Sequence, residues 1–150
     1  MPDLFPRLTR ADSRLALIVA DESWTYAELA GAALEHVALL ERTGVERGDR
    51  VAVWAQPNLS TAAAMIGNAA AGVATVPLNP KLGLSELRHI FNDSEPRLAF
   101  CAEGCDVPHE ITSVPSLHAA HAPNPAALPP LAVDDTPTLI LYTSGTTGPP

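Results

Sequence analysis

Short apolar runs alternate with stretches of helical periodicity between residues 15 and 107, and this alternation restricts the possible folds more than any other feature. In the longer stretches the apolar residues recur three or four positions apart, which is typical of helices that bury one face. Parallel strands need a crossover connection, usually a helix, so such alternation indicates a mostly parallel sheet. We therefore expect an α/β fold in which helices flank a mostly parallel sheet. The predicted strands are a hairpin of Leu15–Ala20 with a piece around Trp24, then Arg50–Ala55, Val73–Leu78 and Leu98–Ala102. The predicted helices begin at Thr25, at Asn58 or Ser60, and at Ser85, and the second ends near Gly72.

Capping residues set the boundaries of the predicted helices. Thr25 and Glu28 have the spacing of a capping box, in which each side chain accepts a hydrogen bond from the other residue's backbone N–H. Gly44 can adopt the left-handed conformation that ends helices, so we expect the first helix to stop there. Ser85 is expected to cap the third helix, which should end at Asp93.

Proline dominates the segment after the last of these predicted strands. Residues 108–137 hold seven prolines, and the only extended pattern among them is a short one at Glu110–Val114. We interpret this segment as an irregular surface connection within one domain rather than a boundary between two. A strand is then predicted at Thr138–Tyr142, so that residues 138–150 form a strand followed by a truncated loop.

The charge of the chain argues against two classes of partner. Its 150 residues carry a formal net charge of −8, and an acidic surface repels nucleic-acid phosphates and anionic lipids. The N-terminus has no apolar region of the length that a secretory signal needs. Together with only two cysteines, this favours a cytoplasmic protein with free thiols.

The segment that carries chemistry follows the last predicted strand. It combines two glycines with four hydroxyl side chains. Glycines let consecutive backbone N–H groups point at one anion, and hydroxyls donate further hydrogen bonds without adding charge, so the composition suits phosphate. A Ser/Thr-rich surface turn has the same composition, and the spacing is not that of the P-loop, in which four residues separate the glycines. The candidate phosphate ligands are Thr143, Ser144, Gly145, Thr146, Thr147 and Gly148.

The run YTSGTTGPP at Tyr142–Pro150 resembles the signature of the adenylate-forming superfamily, which includes acyl-CoA synthetases, peptide-synthetase adenylation domains and beetle luciferases. Further resemblances occur in the family's order at WTYAEL from Trp24, GDRVA from Gly48 and ATVPLNP from Ala74. Within the superfamily, the runs LFP, VAVWAQP, PLNPKLG and ELRHIFNDS most resemble bacterial malonyl-CoA synthetases. These runs are features of the scaffold, and a scaffold does not fix a substrate.

The resemblance implies the incomplete N-terminal portion of the large domain of an ATP-dependent acid–thiol ligase. Such enzymes use ATP and Mg²⁺ to convert a carboxylic acid, here malonate or methylmalonate, into an acyl-adenylate, and then transfer the acyl group to coenzyme A. By the same resemblance the six loop residues would contact the β- and γ-phosphates. The family's loop lysine would follow Pro150, and its other catalytic residues lie further downstream. We therefore expect no catalytic residue in this chain and no activity from these 150 residues alone.

A second hypothesis is a non-catalytic small protein derived from such an enzyme, acting as a binding or interaction module. The DNA immediately downstream would separate the two hypotheses, since a continuing frame that begins with lysine supports the ligase. The cysteines and histidines could also suggest a metal site, but we favour a core thiol with scattered surface histidines because the spacing matches no common zinc pattern. His89 and Asp93, four residues apart on a helix, are expected to form a surface pair. The residues considered for the metal are Cys101, Cys105, His109, His118 and His121.

Overall fold

The structure, a computed structural model, describes residues 3–101, 107–108, 112–115, 123–131 and 133–143. Strands and helices alternate through the described residues as the sequence predicts. The strands are β1 (Leu15–Val19), β2 (Glu22–Thr25), β3 (Arg50–Trp54), β4 (Ala74–Leu78), β5 (Leu98–Cys101) and β6 (Ser113–Pro115). The helices are α1 (Tyr26–Arg42), α2 (Leu59–Ala71) and α3 (Leu84–Ser94).

The main sheet is parallel, in the order β4-β3-β5-β6. Its central strand β3 pairs on one side with β4, where Arg50 lies opposite Ala74, and on the other with β5, where Val51 lies opposite Leu98. Strands β1 and β2 form a separate antiparallel hairpin. The predicted α/β fold with a mostly parallel sheet is therefore confirmed.

Successive side chains of β3 point to opposite faces of the sheet, and each face packs in a buried cluster. Val51 and Val53 pack in a buried cluster with Leu40 of α1 and Ala64 of α2. Ala52 belongs to the opposite cluster, which contains the buried side chains of α3. Helices α1 and α2 thus cover one face of the sheet and α3 covers the other. Among the described residues, no helix combines the length and apolar character needed to cross a bilayer.

Helix α1 begins and ends as predicted. The Thr25 hydroxyl accepts a hydrogen bond from Glu28 N at 3.2 Å, and the Glu28 carboxylate accepts from Thr25 N at 2.7 Å. At the other end Gly44 has a φ of 72°, in the left-handed region. Asn58 caps α2 through a 2.8 Å bond from Thr61 N.

Helix α3 starts earlier than predicted. Its N-cap is Gly83, whereas Ser85 lies inside the first turn with its side chain exposed. The carboxylate of Glu86 accepts a hydrogen bond from Gly83 N at 3.0 Å. Because Glu86 stands three residues after Gly83, it satisfies the N-cap backbone without a hydroxyl at Ser85. The prediction that Ser85 caps this helix is wrong.

The segment predicted as a strand at Thr138–Tyr142 makes a single parallel bridge, between Leu139 and Thr75 of β4. Thr75 N donates to Thr138 O at 3.0 Å and Ile140 N donates to Thr75 O at 2.9 Å. The next residue of β4 that faces this segment is Pro77, which has no N–H and cannot continue the ladder. The direction of the segment is thus as predicted, but within the described residues it does not form a continuous strand.

The proline-rich connection folds back along α1. Its described residues outside β6 form no helix or strand. Strand β6 overlaps the predicted Glu110–Val114 at residues 113 and 114, and the start of that prediction lies outside the described residues. Ala126 N donates to Ala27 O at 2.9 Å, and Leu128, which is buried, donates through its N–H to Leu8 O at 2.7 Å. The connection is therefore anchored at the start of the first helix.

Candidate phosphate-binding site

The structure places the start of the candidate loop, and the rest of it lies outside the described residues. Thr143 is described and exposed. The contacts of the segment that leads to Thr143 are therefore what bears on the site. The candidate ligands outside the described residues are Ser144, Gly145, Thr146, Thr147 and Gly148.

The bridge at Thr75 gives the chain its direction as it approaches the loop. Because Leu139 pairs parallel to β4, the segment advances toward the carboxyl ends of the sheet strands. Open α/β sheets bind their ligands in the crevice outside these ends. The chain thus approaches Thr143 in the direction that the sequence predicts for a ligand loop.

Tyr142, directly before Thr143, is held by helix α3. Its hydroxyl donates a hydrogen bond to the carboxylate of Asp93, and its ring lies edge-on to that of His89, with the centroids 6.3 Å apart. Partial burial, and then the hydrogen bond to Asp93, raises the pKa of Tyr142, so the hydroxyl remains protonated. The predicted pair of His89 with Asp93 is not among the ion pairs of the described residues. Both side chains contact Tyr142 instead, a contact that spacing along a helix cannot reveal.

A buried polar network, which the sequence analysis did not predict, lies beneath the bridge. Asn68 Oδ1 lies 2.8 Å from His36 Nε2, and Asn68 Nδ2 donates to Thr75 Oγ1 at 2.9 Å. Since the amide oxygen can only accept, His36 donates from Nε2. Burial lowers the pKa of His36, which favours the neutral ring. An asparagine within the alanine-rich α2 is the one signal that could have indicated this network.

A cavity of about 640 Å³ opens at the carboxyl ends of β3 and β4. Its walls are the two loops that follow these strands, and it includes the chain's single lysine. That lysine follows β4 and not the candidate loop, so it is not a substitute for the family's loop lysine. The lining residues are Ala55, Gln56, Pro57, Asn58, Asn79, Pro80 and Lys81.

No group of three or more histidine, cysteine or carboxylate side chains that could hold a metal occurs in the part of the chain that the structure describes. Cys101 lies at the end of β5 and is disulfide-bonded, so the expectation of free thiols is wrong. That expectation came from the inferred compartment, which says nothing about the placement of the side chain. The other residues weighed for a metal, Cys105, His109, His118 and His121, lie outside the described residues.

Comparisons with known proteins bear on the whole chain. Residues 5–150 match the family described as "AMP-binding enzyme". Surfactin synthase subunit 2 of Bacillus subtilis is 33% identical over 94% of this chain, and sulfoacetate–CoA ligase of Cupriavidus necator is 35% identical over 71% of it. A malonyl-CoA ligase solved as a ternary product complex with methylmalonyl-CoA and AMP superposes with a TM-score of 0.75, at 41% identity over 98% of this chain.

The chain spans 4% of the surfactin synthase subunit, 24% of the sulfoacetate–CoA ligase and 31% of the malonyl-CoA ligase chain. It therefore corresponds to part of each of these proteins. The match to the family nevertheless begins at residue 5 and continues through the candidate loop to residue 150. The chain belongs to the family of AMP-binding, adenylate-forming enzymes.

Proposed function

We propose that this chain is the phosphate-binding part of an ATP-dependent acid–thiol ligase, which activates a carboxylic acid as its adenylate and passes the acyl group to coenzyme A. The observation that carries the proposal is the family match over residues 5–150, which includes the glycine and hydroxyl loop. The parallel approach of Leu139 along β4 supports it, because this direction suits a loop that meets a ligand beyond the carboxyl ends of the strands.

In the proposed reaction a carboxylate oxygen of the acid attacks the α-phosphorus of ATP, and the bond from that phosphorus to the bridging oxygen of pyrophosphate breaks. Negative charge moves onto the departing pyrophosphate. Backbone N–H groups and hydroxyls of Thr143–Gly148 would hold its oxygens, and such preorganised donors lower the barrier because they need no rearrangement as charge develops. The thiol of coenzyme A then attacks the acyl carbon and AMP leaves.

The loop residues fit phosphate but not a metal. Their donor set consists of hydroxyls and backbone N–H groups, with no carboxylate, whereas Mg²⁺ prefers oxygen ligands that include carboxylates and substrate phosphates. Mg²⁺ would therefore reach this part of the enzyme through the phosphates of ATP, where it would neutralise charge on the departing group.

For the acid we propose a small dicarboxylate such as malonate or methylmalonate. The support is the 41% identity to a malonyl-CoA ligase that was solved with methylmalonyl-CoA and AMP. A sulfoacetate–CoA ligase is also 35% identical, and sulfoacetate likewise carries a second anionic group beside its carboxylate. A panel of malonate, methylmalonate, sulfoacetate and acetate would rank these acids.

The proposal is tested by acid-dependent exchange of labelled pyrophosphate into ATP, with the longest polypeptide that the gene encodes. Exchange should depend on the acid and fall at least about 100-fold in Gly145→Val, because the added side chain would occupy the space of the phosphate. Thr112→Val is the control, since this threonine is exposed and its hydrogen bond to β5 comes from its backbone oxygen, which the substitution keeps. Exchange that is independent of the acid, or equal in Gly145→Val, would contradict the proposal.

We expect no exchange from the 150 residues alone, because they span only 31% of the malonyl-CoA ligase chain that they match. Measurable acid-dependent exchange by this chain, lost on Gly145→Val, would show that these residues contain a complete site.

A further inference from the structure

Tyr142, directly before the candidate loop, contacts helix α3, which lies far from it in the sequence. Its hydroxyl donates to the carboxylate of Asp93, 49 residues away. The same ring meets the edge of His89 and packs against the buried cluster of α3. These contacts fix both the plane of the ring and the position of its hydroxyl.

Few other contacts restrain the chain at this point. The bridge to β4 ends with the hydrogen bond from Ile140 N to Thr75 O, and Leu141 is 65% exposed. Thr143, which begins the candidate loop, is exposed as well. Among the described residues, Tyr142 is thus the last one before the loop that contacts another element.

We propose that Asp93, through its hydrogen bond from Tyr142, is a positioning residue that sets where the phosphate-binding loop begins. This inference rests on the proposed function, since it concerns how the loop of that site is held. A hydrogen bond to a carboxylate is stronger than one between neutral groups, and it fixes a direction as well as a distance. A loop that binds phosphate through backbone N–H groups needs its first residue held, because a displacement of about 1 Å at a reacting group can cost about 100-fold in rate.

The Tyr142–Asp93 hydrogen bond should matter for the first half-reaction, the formation of the acyl-adenylate, and not for the second. Pyrophosphate leaves while the acyl-adenylate forms, whereas the transfer of the acyl group from a supplied adenylate to coenzyme A involves no pyrophosphate. Loss of the Tyr142–Asp93 bond should therefore impair adenylate formation and spare thiol transfer. A contact that only stabilised the fold would affect both half-reactions to the same degree.

The test measures the two half-reactions separately in the longest polypeptide that the gene encodes. Tyr142→Phe and Asp93→Ala should each lower kcat/KM for ATP in pyrophosphate exchange by about 10-fold, with acyl transfer from supplied adenylate changed less than about 2-fold. The double variant should be no slower than either single variant, because both remove the same bond. Asp93→Asn should retain most of the activity, since the amide oxygen still accepts from the tyrosine. Asn92→Ala, at the adjacent exposed position of α3, is the matched control and should behave as the unsubstituted protein.

The outcomes separate this inference from the proposed function. If the unsubstituted protein catalyses exchange and Tyr142→Phe and Asp93→Ala leave it unchanged, the positioning role is wrong and the function stands. Equal loss of both half-reactions, together with a lower melting temperature, would also overturn the positioning role. If the unsubstituted protein catalyses neither half-reaction with any acid of the panel, the proposed function fails and this inference fails with it.

Discussion

Asn68 is buried in α2, and both the oxygen and the nitrogen of its side-chain amide form hydrogen bonds. The oxygen accepts from His36 of α1 and the nitrogen donates to Thr75 of β4. Thr75 in turn uses its backbone N–H and C=O to hold residues 138 and 140. A single side chain thus connects both helices of one layer to the strand that guides the chain toward the loop. Burial of such a network is favourable only while every member has a partner.

Replacing Asn68 by alanine should therefore destabilise the protein by about 2–4 kcal/mol, because it leaves the buried groups of His36 and Thr75 without their partner. Asn92→Ala is a matched control, since Asn92 is exposed on α3 and its truncation should change the free energy of unfolding by less than about 0.5 kcal/mol. Urea unfolding curves of the two variants provide the comparison. Equal midpoints for Asn68→Ala and Asn92→Ala would show that the network contributes nothing.

His36 should make stability depend on pH. Its pKa is lowered in the folded protein by burial, while in the unfolded chain it stays near its ordinary value of about 6.5. The unfolded chain therefore binds a proton first as the pH falls, so stability is full above about pH 6.5 and decreases below it, by at most about 1.4 kcal/mol per pH unit.

Unfolding free energies measured between pH 8 and pH 5 test this dependence. His36→Leu should be less stable at pH 8 but should show a flatter profile than the unsubstituted protein, because it removes the buried ring that titrates. The carboxylates of Glu28 and Asp134, whose pKa values are lowered, titrate below this window. A profile that rises toward pH 5 would contradict the assignment of a buried neutral ring.

At the scale of elements, the two capping sites show how a helix start is chosen. Helix α1 begins at Thr25, whose hydroxyl and Glu28 satisfy each other's backbone groups. Helix α3 begins at Gly83, where Glu86 supplies the acceptor and the N-cap has no side chain to contribute. Serine is a common N-cap residue, but the serine at position 85 lies inside the first turn of α3 and not at its N-cap.

Thr25→Ala should accordingly cost about 1 kcal/mol of stability, since it removes the acceptor for Glu28 N. Ser85→Ala should be neutral or slightly stabilising, because alanine has a higher helix propensity than serine at an exposed helical position. Chemical denaturation of both variants measures the difference. If Ser85→Ala were the more destabilising change, the boundary of α3 would have to move to Ser85.

Local patterns were sufficient to predict most of the fold, since strands, caps and the parallel order depend on neighbours in the sequence. The cap at Thr25 and the left-handed Gly44 are of this kind. The interruption of the last strand depends on Pro77 of a different strand, and the contact of Tyr142 with Asp93 joins residues 49 positions apart. No pattern in one sequence specifies such pairs, because they exist only after the sheet has brought the segments together.

At the scale of the whole molecule, the proline-rich connection packs against α1 and the N-terminal segment. Residues 123–131 run back along α1 and reach the N-terminal segment, where Leu4 N donates to Leu131 O at 2.8 Å. The contact is close because α1 presents a glycine to the connection. A Cβ atom added at Gly31 would lie 1.9 Å from the backbone oxygen of Asn124. The absence of a side chain at this one position therefore determines how closely the connection can pack.

Gly31→Ala provides a test in which two effects have opposite signs. Helix propensity alone predicts that alanine stabilises α1 by about 1 kcal/mol. The contact predicts a net loss of about 1–3 kcal/mol, because backbone must move to admit the methyl group. We expect the loss to be accompanied by faster hydrogen exchange at the amides of Ala126 and Leu128, whose bonds hold the connection to residues 27 and 8. Stabilisation with unchanged exchange would mean that the connection does not lie against α1.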